Sequence, residues 1–377
     1  MTIQDLQQLY AAHPNLKTAT VALAKSDIRH FYFSGMCESC PSLFASLLQS
    51  QVKFPFLFVL NDSEEAGYFY YDLSQLLGEE KVLFFPSSFR RAIKYGQKDA
   101  ANEILRTEVL STLQKEGDKI CIVTYPDALA EKVVSHSELK DNTLSISVGE
   151  KVDMAFVAEV LRSYQFQRVD YVYEPGQYAV RGSLIDVFSF SSEYPYRIDF
   201  FGDEVESIRT FEIESQLSQQ RISQVVIVPD LGLNSSSDNT SFLSFIAPDT
   251  ILAMRDFLWL RERIQSVHDE SLTAEAVIAQ ETEGSEKVNL EEMLIDGSVF
   301  SMEALAFRRI EFGSHPTGTP DATLAFETSP QPLFHKNFEL VSQSFTDYLE
   351  KGYHIYIGSN SSKQTDRLHG LSLRRLE

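Results

Sequence analysis

The chain has 377 residues, of which 43% are hydrophobic and 23% charged, a composition typical of globular proteins. This length suggests two or three domains, each large enough to bury a core of its own. Lys and Arg together number 33 against 54 Asp and Glu, which gives a formal net charge of −21. A free-standing nucleic-acid binder draws its affinity from basic side chains, so this balance argues against that class of protein.

Three cysteines, Cys37, Cys40 and Cys121, are too few for a disulfide scaffold and are typical of a reducing compartment. No apolar run approaches the roughly 18 residues that cross a bilayer. The start of the chain carries Asp5 where a secretory signal needs positive charge. We therefore expect a soluble, cytoplasmic, multidomain protein without a membrane partner.

Residues 1–125 alternate between helical and strand patterns. Four helices are predicted, at Ile3–Ala12, Leu43–Leu48, Ser63–Leu77 and Asn102–Lys115. Four apolar strands are predicted between them, at Ile28–Phe33, Phe54–Asn61, Val82–Phe85 and Lys119–Thr124. Buried strands alternating with helices indicate a parallel sheet covered on both faces, so this part of the chain is expected to be α/β.

Residues 126–213 show a different pattern, in which apolar and polar residues alternate. One amphipathic helix and three half-exposed strands are predicted, at Met154–Tyr164, Gln177–Arg181, Tyr196–Phe201 and Glu204–Phe211. Gly202-Asp203 between two of these strands is a hairpin signal. We expect an antiparallel sheet helped by one or two helices.

Residues 214–334 return to apolar strands, predicted at Arg221–Pro229, Phe307–Phe312 and Thr323–Glu327, with a polar loop at Asn234–Thr240 and an acidic, partly helical stretch at Glu275–Glu292. Residues 335–377 predict a helix, a strand and a helix, at Asn337–Lys351, His354–Gly358 and Lys363–Arg375. Such a unit cannot cover its own apolar face, so we expect the chain to be part of a longer protein.

The segment after the first strand follows the frame of a phosphate-binding loop, G-x-x-x-x-G-K-[ST], from Gly35 to Ser42. Cys40 stands in place of the second glycine, and Pro41 replaces the lysine that meets the phosphates. Pro41 removes both an N–H donor and a cation, and Glu38 adds a negative charge inside the loop. We therefore expect no ATP to bind here. The alternative that Gly35 is merely a strand-end turn stays open.

Cys37 and Cys40 also match the C-x-x-C spacing of redox pairs and of half a zinc site. No second pair or nearby histidine supports a metal site, and the sequence shows no catalytic nucleophile with an identifiable base. We predict no catalytic residue and no metal site, and keep a redox function as an alternative.

Residues 168–209 resemble the segment shared by the excision-repair protein UvrB and the transcription-repair coupling factors. The matching blocks are RVD from Arg168, AVRG ending at Gly182, IDVF ending at Phe188, and FFGDE and ESIR between Phe200 and Arg209. Ser183, Ser189 and Leu217 depart from the family pattern. The broken phosphate loop, and the lack of room for UvrB's tyrosine-rich hairpin between Phe89 and Asn102, favour the amino-terminal UvrB-like module of the coupling factors.

The resemblance implies a degenerate RecA/helicase-like parallel sheet formed by two chain segments, residues 1–125 and 214–334. Residues 126–213 would be an inserted α+β domain with an antiparallel sheet, similar to the second domain of UvrB. Residues 335–377 would begin a linking domain.

The resemblance also implies a non-catalytic adaptor that recruits UvrA, with Arg168, Arg181 and Phe188 as candidate contacts. ATP and magnesium would bind only to a downstream motor of the parent protein, which would reach RNA polymerase and double-stranded DNA through other domains. One alternative is a UvrB-like, nucleotide-dependent enzyme that processes damaged DNA.

A structural alternative is that Arg168 and Arg181 only pair with nearby acids such as Asp170 or Glu174. Arg197 and Arg209 are expected to serve the sheet through cross-strand charge pairs.

Overall fold

The computed structural model describes residues 3–25, 27–88, 99–114, 120–231, 239–281, 290–335, 337–357, 361 and 363. The chain divides into two units, residues 1–328 and 329–377. The helices are α1 (Ile3–Ala11), α2 (Pro14–Leu23), α3 (Cys40–Gln51), α4 (Ser63–Leu77), α5 (Ala100–Leu113), α6 (Pro126–Ala130), α7 (His136–Asp141), α8 (Met154–Ser163), α9 (Phe242–Phe245), α10 (Phe257–Glu281), α11 (Leu290–Met293), α12 (Gly297–Ala304) and α13 (Phe338–Glu350).

The strands are β1 (His30–Ser34), β2 (Phe56–Val59), β3 (Val82–Phe84), β4 (Cys121–Thr124), β5 (Leu144–Ser147), β6 (Gln167–Arg168), β7 (Gln177–Arg181), β8 (Leu184–Val187), β9 (Tyr196–Phe201), β10 (Glu204–Phe211), β11 (Ser218–Ile222), β12 (Gln224–Ile227), β13 (Ile251–Met254), β14 (Arg308–Glu311) and β15 (Ala322–Ala325).

Seven strands form a parallel sheet in the order β15-β1-β14-β13-β2-β4-β3. Strands β2, β4 and β13 are buried along their whole length, as their largely apolar sequences require. The sheet is assembled from two stretches of chain, residues 30–124 and 251–325. The predicted α/β class, with a parallel sheet made from two chain segments, is confirmed.

Local sequence signals explain where the helices of this unit begin. Helix α4 begins at the predicted Ser63, because the Asp62 carboxylate accepts a hydrogen bond from the Glu65 amide at 2.8 Å. Helix α3 begins at Cys40, earlier than predicted. Pro41 lies in its first turn, where a missing N–H costs nothing.

A second sheet has six strands in the order β11-β10-β9-β8-β7-β6. All its neighbouring strands pair antiparallel except β6 and β7, which pair in parallel over two residues. Strands β9 and β10 have the predicted bounds, with Gly202 at φ +64° in the hairpin between them. The inserted α+β domain is confirmed.

Both faces of the second sheet carry apolar contacts, so the prediction of half-exposed strands is wrong for part of it. Helix α8 covers one face through Val157 and Leu161. On the other face a small core joins Ala179, Phe188, Phe211 and Val172. Ala179 is therefore 1% exposed although its position in the alternation predicted solvent.

The predicted single strand Arg221–Pro229 is two strands in two different sheets. Strand β11 is the edge of the six-stranded sheet, whereas β12 pairs with β5 in a separate two-stranded ribbon. Ser223 separates the two strands. The first core includes Leu139 and resumes at Val228, while the second extends from Ile146 to Ile227. The buried residues of the first core thus continue past residue 126 to Leu139, and those of the second core continue past residue 214 to Ile227.

The second unit is described mainly through α13, which is capped by the Asn337 side chain. Residues His354–Ile357 form no strand, so the predicted strand at His354–Gly358 is wrong in its described part. The predicted helix at Lys363–Arg375 lies outside the described residues except for Lys363, as does most of the polar loop at Asn234–Thr240. Among the helices described, none is both long and apolar enough to cross a membrane.

Candidate functional site

The altered phosphate loop joins β1 to α3 and is fastened by a residue far along the chain. The Thr328 hydroxyl donates a hydrogen bond to the carbonyl oxygen of Gly35 and accepts one from the Cys37 amide at 3.1 Å. The Phe326 amide, just after β15, donates to the Ser34 carbonyl at 2.8 Å. One of the loop's N–H groups, of the kind that would surround a phosphate, is thus satisfied by the chain itself.

Close packing explains why Gly35 is a glycine. Its φ is +77°, and a Cβ built on it would lie 2.0 Å from the Phe326 carbonyl oxygen. The Phe326 ring packs edge-on against Phe44 and stacks on His13. Gly35 therefore has a structural role in this loop, whatever the loop binds.

Ser42 occupies the position that holds magnesium in a working phosphate loop. Here it is 2% exposed, and its hydroxyl lies 3.0 Å from both the Ser39 carbonyl and the Asp72 carboxylate. Glu38, at φ +50°, adds a carboxylate to the same loop. The loop frame is present, but neither Pro41 nor these neighbours can supply a cation for a triphosphate.

Cys40, the second cysteine of the C-x-x-C pair, has the wrong acidity for a reactive thiol. Burial, together with the nearby Cys37 thiol, raises the pKa of Cys40 to about 11. A reactive thiol needs the opposite shift, because the thiolate is the nucleophile. No cluster of three metal-ligating side chains occurs within the described ranges.

A row of side chains crosses the second sheet at right angles to its strands. Each member lies directly opposite the next on the neighbouring strand, from β7 to β11: Ala179, Asp186, Arg197, Arg209 and Arg221. Directly paired residues point to the same face, so all five share the face of the small core. We call Arg197, Arg209 and Arg221 the arginine row.

Asp186 is the charge centre of this face. It is fully buried and accepts two hydrogen bonds from the Arg197 guanidinium, at 2.7 and 2.9 Å. Arg181 pairs with the same carboxylate, and its guanidinium lies 4.9 Å from the centre of the Tyr171 ring. Arg181 therefore pairs with an acid of its own domain, as the structural alternative expected, although this acid is Asp186 and not Asp170 or Glu174. Its side chain stays 34% exposed.

The expected cross-strand charge pairs are only half present. Arg197 has its pair in Asp186, and its guanidinium also lies 4.6 Å from the centre of the Phe211 ring. Arg209 instead faces two like charges, Arg197 on one side and Arg221 on the other. The expectation is confirmed for Arg197 and wrong for Arg209.

The three predicted contact residues are not brought together. Arg168, on the short edge strand β6, lies opposite Tyr178 and so belongs to the other face of the sheet from Arg181. It is exposed and forms no ion pair within the described residues. Phe188 is 4% exposed and belongs to the small core. It therefore contributes to the packing of the sheet face on which Arg181 lies.

The part of the chain that contains the six-stranded sheet is similar to a known protein family. Residues 144–231 match the family model of the UvrB interaction domain. The predicted resemblance is confirmed. The matched segment begins at β5, ends just after β12, and so encloses the second core and the whole six-stranded sheet. The interaction domain therefore coincides with the part of the chain that carries Asp186 and the arginine row.

Curated relatives extend the similarity beyond this domain. The transcription-repair-coupling factor of Escherichia coli (strain K12) is 34% identical over 108 residues, 29% of this chain and 9% of the relative. That of Bacillus subtilis (strain 168) is 28% identical over 198 residues, 52% of this chain and 17% of the relative. UvrABC system protein B of Streptococcus uberis is 29% identical over 180 residues, 44% of this chain and 26% of the relative. The chain thus spans under a fifth of these coupling factors.

Proposed function

We propose that this chain is the non-catalytic adaptor module of a transcription-repair coupling factor, and that its six-stranded sheet binds UvrA to bring excision repair to stalled RNA polymerase. The observation that carries the proposal is the match of residues 144–231 to the UvrB interaction domain, on a sheet with its own core. The exposed arginines of that sheet support it, because they stand out in a chain of net charge −21.

The proposed contact uses Arg181 as a pre-oriented donor. Asp186 and the Tyr171 ring fix the guanidinium, while part of it stays open to solvent. An arginine fork pairs two-pronged with a carboxylate, and a fork that is already held loses less entropy on binding. Arg168 adds a separate contact at the edge strand β6. The two arginines would therefore be reached from different sides of the domain.

No cofactor is proposed for this chain. Two observations support this: the altered phosphate loop has no basic side chain, and Thr328 forms hydrogen bonds with its backbone. ATP and magnesium would belong to a motor elsewhere in the parent protein. That parent would be a cytoplasmic, ATP-dependent DNA translocase that meets RNA polymerase and double-stranded DNA through its other domains.

Calorimetric titration of the chain with UvrA tests the adaptor function. We expect Arg168→Ala and Arg181→Ala each to weaken binding, and the double variant to weaken it at least tenfold, about 1.4 kcal/mol. Arg162→Ala is the matched control, because Arg162 is exposed on helix α8 and loses the same charge. Circular dichroism would verify folding of each variant. Absence of binding by the unaltered chain would refute the proposal.

A further inference from the structure

Arg209 and Arg221 lie directly opposite each other on β10 and the edge strand β11. Like charges in this position destabilise a sheet. The Arg209 guanidinium donates to the Ser207 hydroxyl at 3.0 Å, and neither arginine forms an ion pair within the described part of the chain. In a protein with 54 acidic residues, an uncompensated arginine pair calls for a reason other than stability.

Three acidic side chains of this part of the sheet have hydrogen-bond partners other than Arg209 and Arg221. Asp186 neutralises Arg197 and Arg181, one strand further away from the edge. Asp199, on the same face, accepts a hydrogen bond from the Ser183 hydroxyl at 3.1 Å. Glu212, in the turn after β10, accepts one from the Ser215 hydroxyl at 2.6 Å. None of these three carboxylates forms an ion pair with Arg209 or Arg221 within the described residues.

The pair is also accessible. Arg221 is exposed, as are its strand neighbours Ser218, Gln219 and Gln220, and Arg209 is half-buried. Opposed residues on neighbouring strands have Cβ atoms about 5 Å apart, so the two guanidinium groups can converge on one carboxylate or on two successive ones. The pair shares its face with Arg181, and continues the proposed docking surface to the edge of the sheet.

We propose that Arg209 and Arg221 form a second carboxylate-binding site, which takes an acidic segment of the protein that docks on this sheet. The identity of that protein as UvrA rests on the proposed function. A duplex of DNA needs many basic contacts along its backbone, whereas this site offers one pair of arginines in a chain of net charge −21. The site therefore suits a short Asp- or Glu-containing stretch.

Titration of the Arg209→Gln/Arg221→Gln double variant with UvrA, at low and at physiological salt, tests the site. We expect affinity about tenfold weaker than that of the unaltered chain, and a smaller loss of affinity on adding salt, because two charge contacts are gone. Arg162→Gln on helix α8 is the matched control. It should bind with the affinity and the salt dependence of the unaltered chain. Thermal unfolding shows whether the double variant is folded.

The outcomes separate this site from the adaptor function. If the unaltered chain does not bind UvrA, both proposals fail together. If Arg168→Ala/Arg181→Ala weakens binding while Arg209→Gln/Arg221→Gln changes neither affinity nor its salt dependence, the second site alone is overturned. Loss of binding to a double-stranded oligonucleotide, with UvrA affinity unchanged, would overturn it in favour of a phosphate site.

Discussion

The Asp186 carboxylate and the Arg197 guanidinium form a two-pronged pair between β8 and β9, with hydrogen bonds of 2.7 and 2.9 Å. These bonds raise the pKa of Arg197, although burial acts in the opposite direction. Because Arg181 meets the same buried carboxylate, one negative charge serves two arginines on this face. Removing it would leave both without a counter-charge.

Asp186→Asn preserves the shape of the side chain and removes its charge. We expect the free energy of unfolding to fall by about 2–3 kcal/mol, less than for a fully buried pair because both guanidinium groups keep some solvent. Urea unfolding measures this. Asp203→Asn, in the exposed hairpin after β9, removes the same charge and should change stability by less than about 0.5 kcal/mol. Equal stabilities of the two variants would contradict the role given to Asp186.

Gly35→Ala tests the packing of the altered phosphate loop. Gly35 and Gly149 have similar backbone angles, φ +77° and +82°, but a Cβ would meet the Phe326 carbonyl oxygen at Gly35 and nothing within 4 Å at Gly149. Gly149→Ala should therefore cost only the backbone term, about 1–2 kcal/mol. We expect Gly35→Ala to cost markedly more, measured by thermal and urea unfolding. Similar losses in the two variants would show that the loop can move away from residue 326.

Arg221→Gln should stabilise the chain. It removes a like charge that lies directly opposite Arg209, and we expect the free energy of unfolding to rise by about 0.2–1 kcal/mol. The gain should shrink at high salt, since both groups are screened there. Arg162→Gln, on the exposed surface of helix α8, should show no such gain. A loss of stability at low salt would mean that Arg221 contributes a favourable contact.

Mg-ATP should leave the thermal midpoint unchanged. A ligand that binds only the native state raises the midpoint progressively once its concentration exceeds its dissociation constant, and the loop lacks the lysine that meets the phosphates. Differential scanning fluorimetry over a range of Mg-ATP concentrations would measure this, with Mg²⁺ alone as the control. A thermal midpoint that rises with Mg-ATP concentration, but not with Mg²⁺ alone, would favour the nucleotide-dependent alternative.

Stability should decrease in alkaline solution. Burial raises the pKa of Cys121 and of Tyr125 to about 12, from ordinary values of 9.0 and 10.0. A group whose pKa is raised by folding contributes stability that is complete below its unfolded pKa and is lost as pH rises toward its folded pKa. The free energy of unfolding should therefore fall above pH ~9. Cys121→Ala should flatten the first part of this decrease in urea titrations. If the free energy of unfolding of Cys121→Ala depends on pH as it does in the unaltered chain, the decrease comes from other groups.

Local signals in the sequence predicted the elements well where one residue decides a boundary. Asp62 begins α4, and Gly202 turns β9 into β10. They failed at Ser223, where one apolar run is shared between two sheets. Nothing local marks that division, because it depends on which distant strands the run meets.

The candidate surface was predictable only in part, for the same reason. Motif similarity identified Arg168 and Arg181, but the register of β6 and β7 puts them on opposite faces. The position of Asp186 was a sign of a special role, since a charged residue stands within an apolar strand. Its partners Arg181 and Arg197 could not be predicted, because they lie on the neighbouring strands β7 and β9. The arginine row depends on the pairing register of strands β9, β10 and β11, which the periodicity of each strand alone does not reveal.

The contact of Thr328 with Gly35 and Cys37 has a consequence for how this protein responds to its surroundings. A nucleotide arrives and leaves, and the walls of its pocket adjust with each exchange. A side chain of the same polypeptide cannot diffuse away, and no change in the energy status of the cell alters its supply. The junction between β1 and α3 is thus held by a contact whose strength does not depend on the concentration of any free ligand.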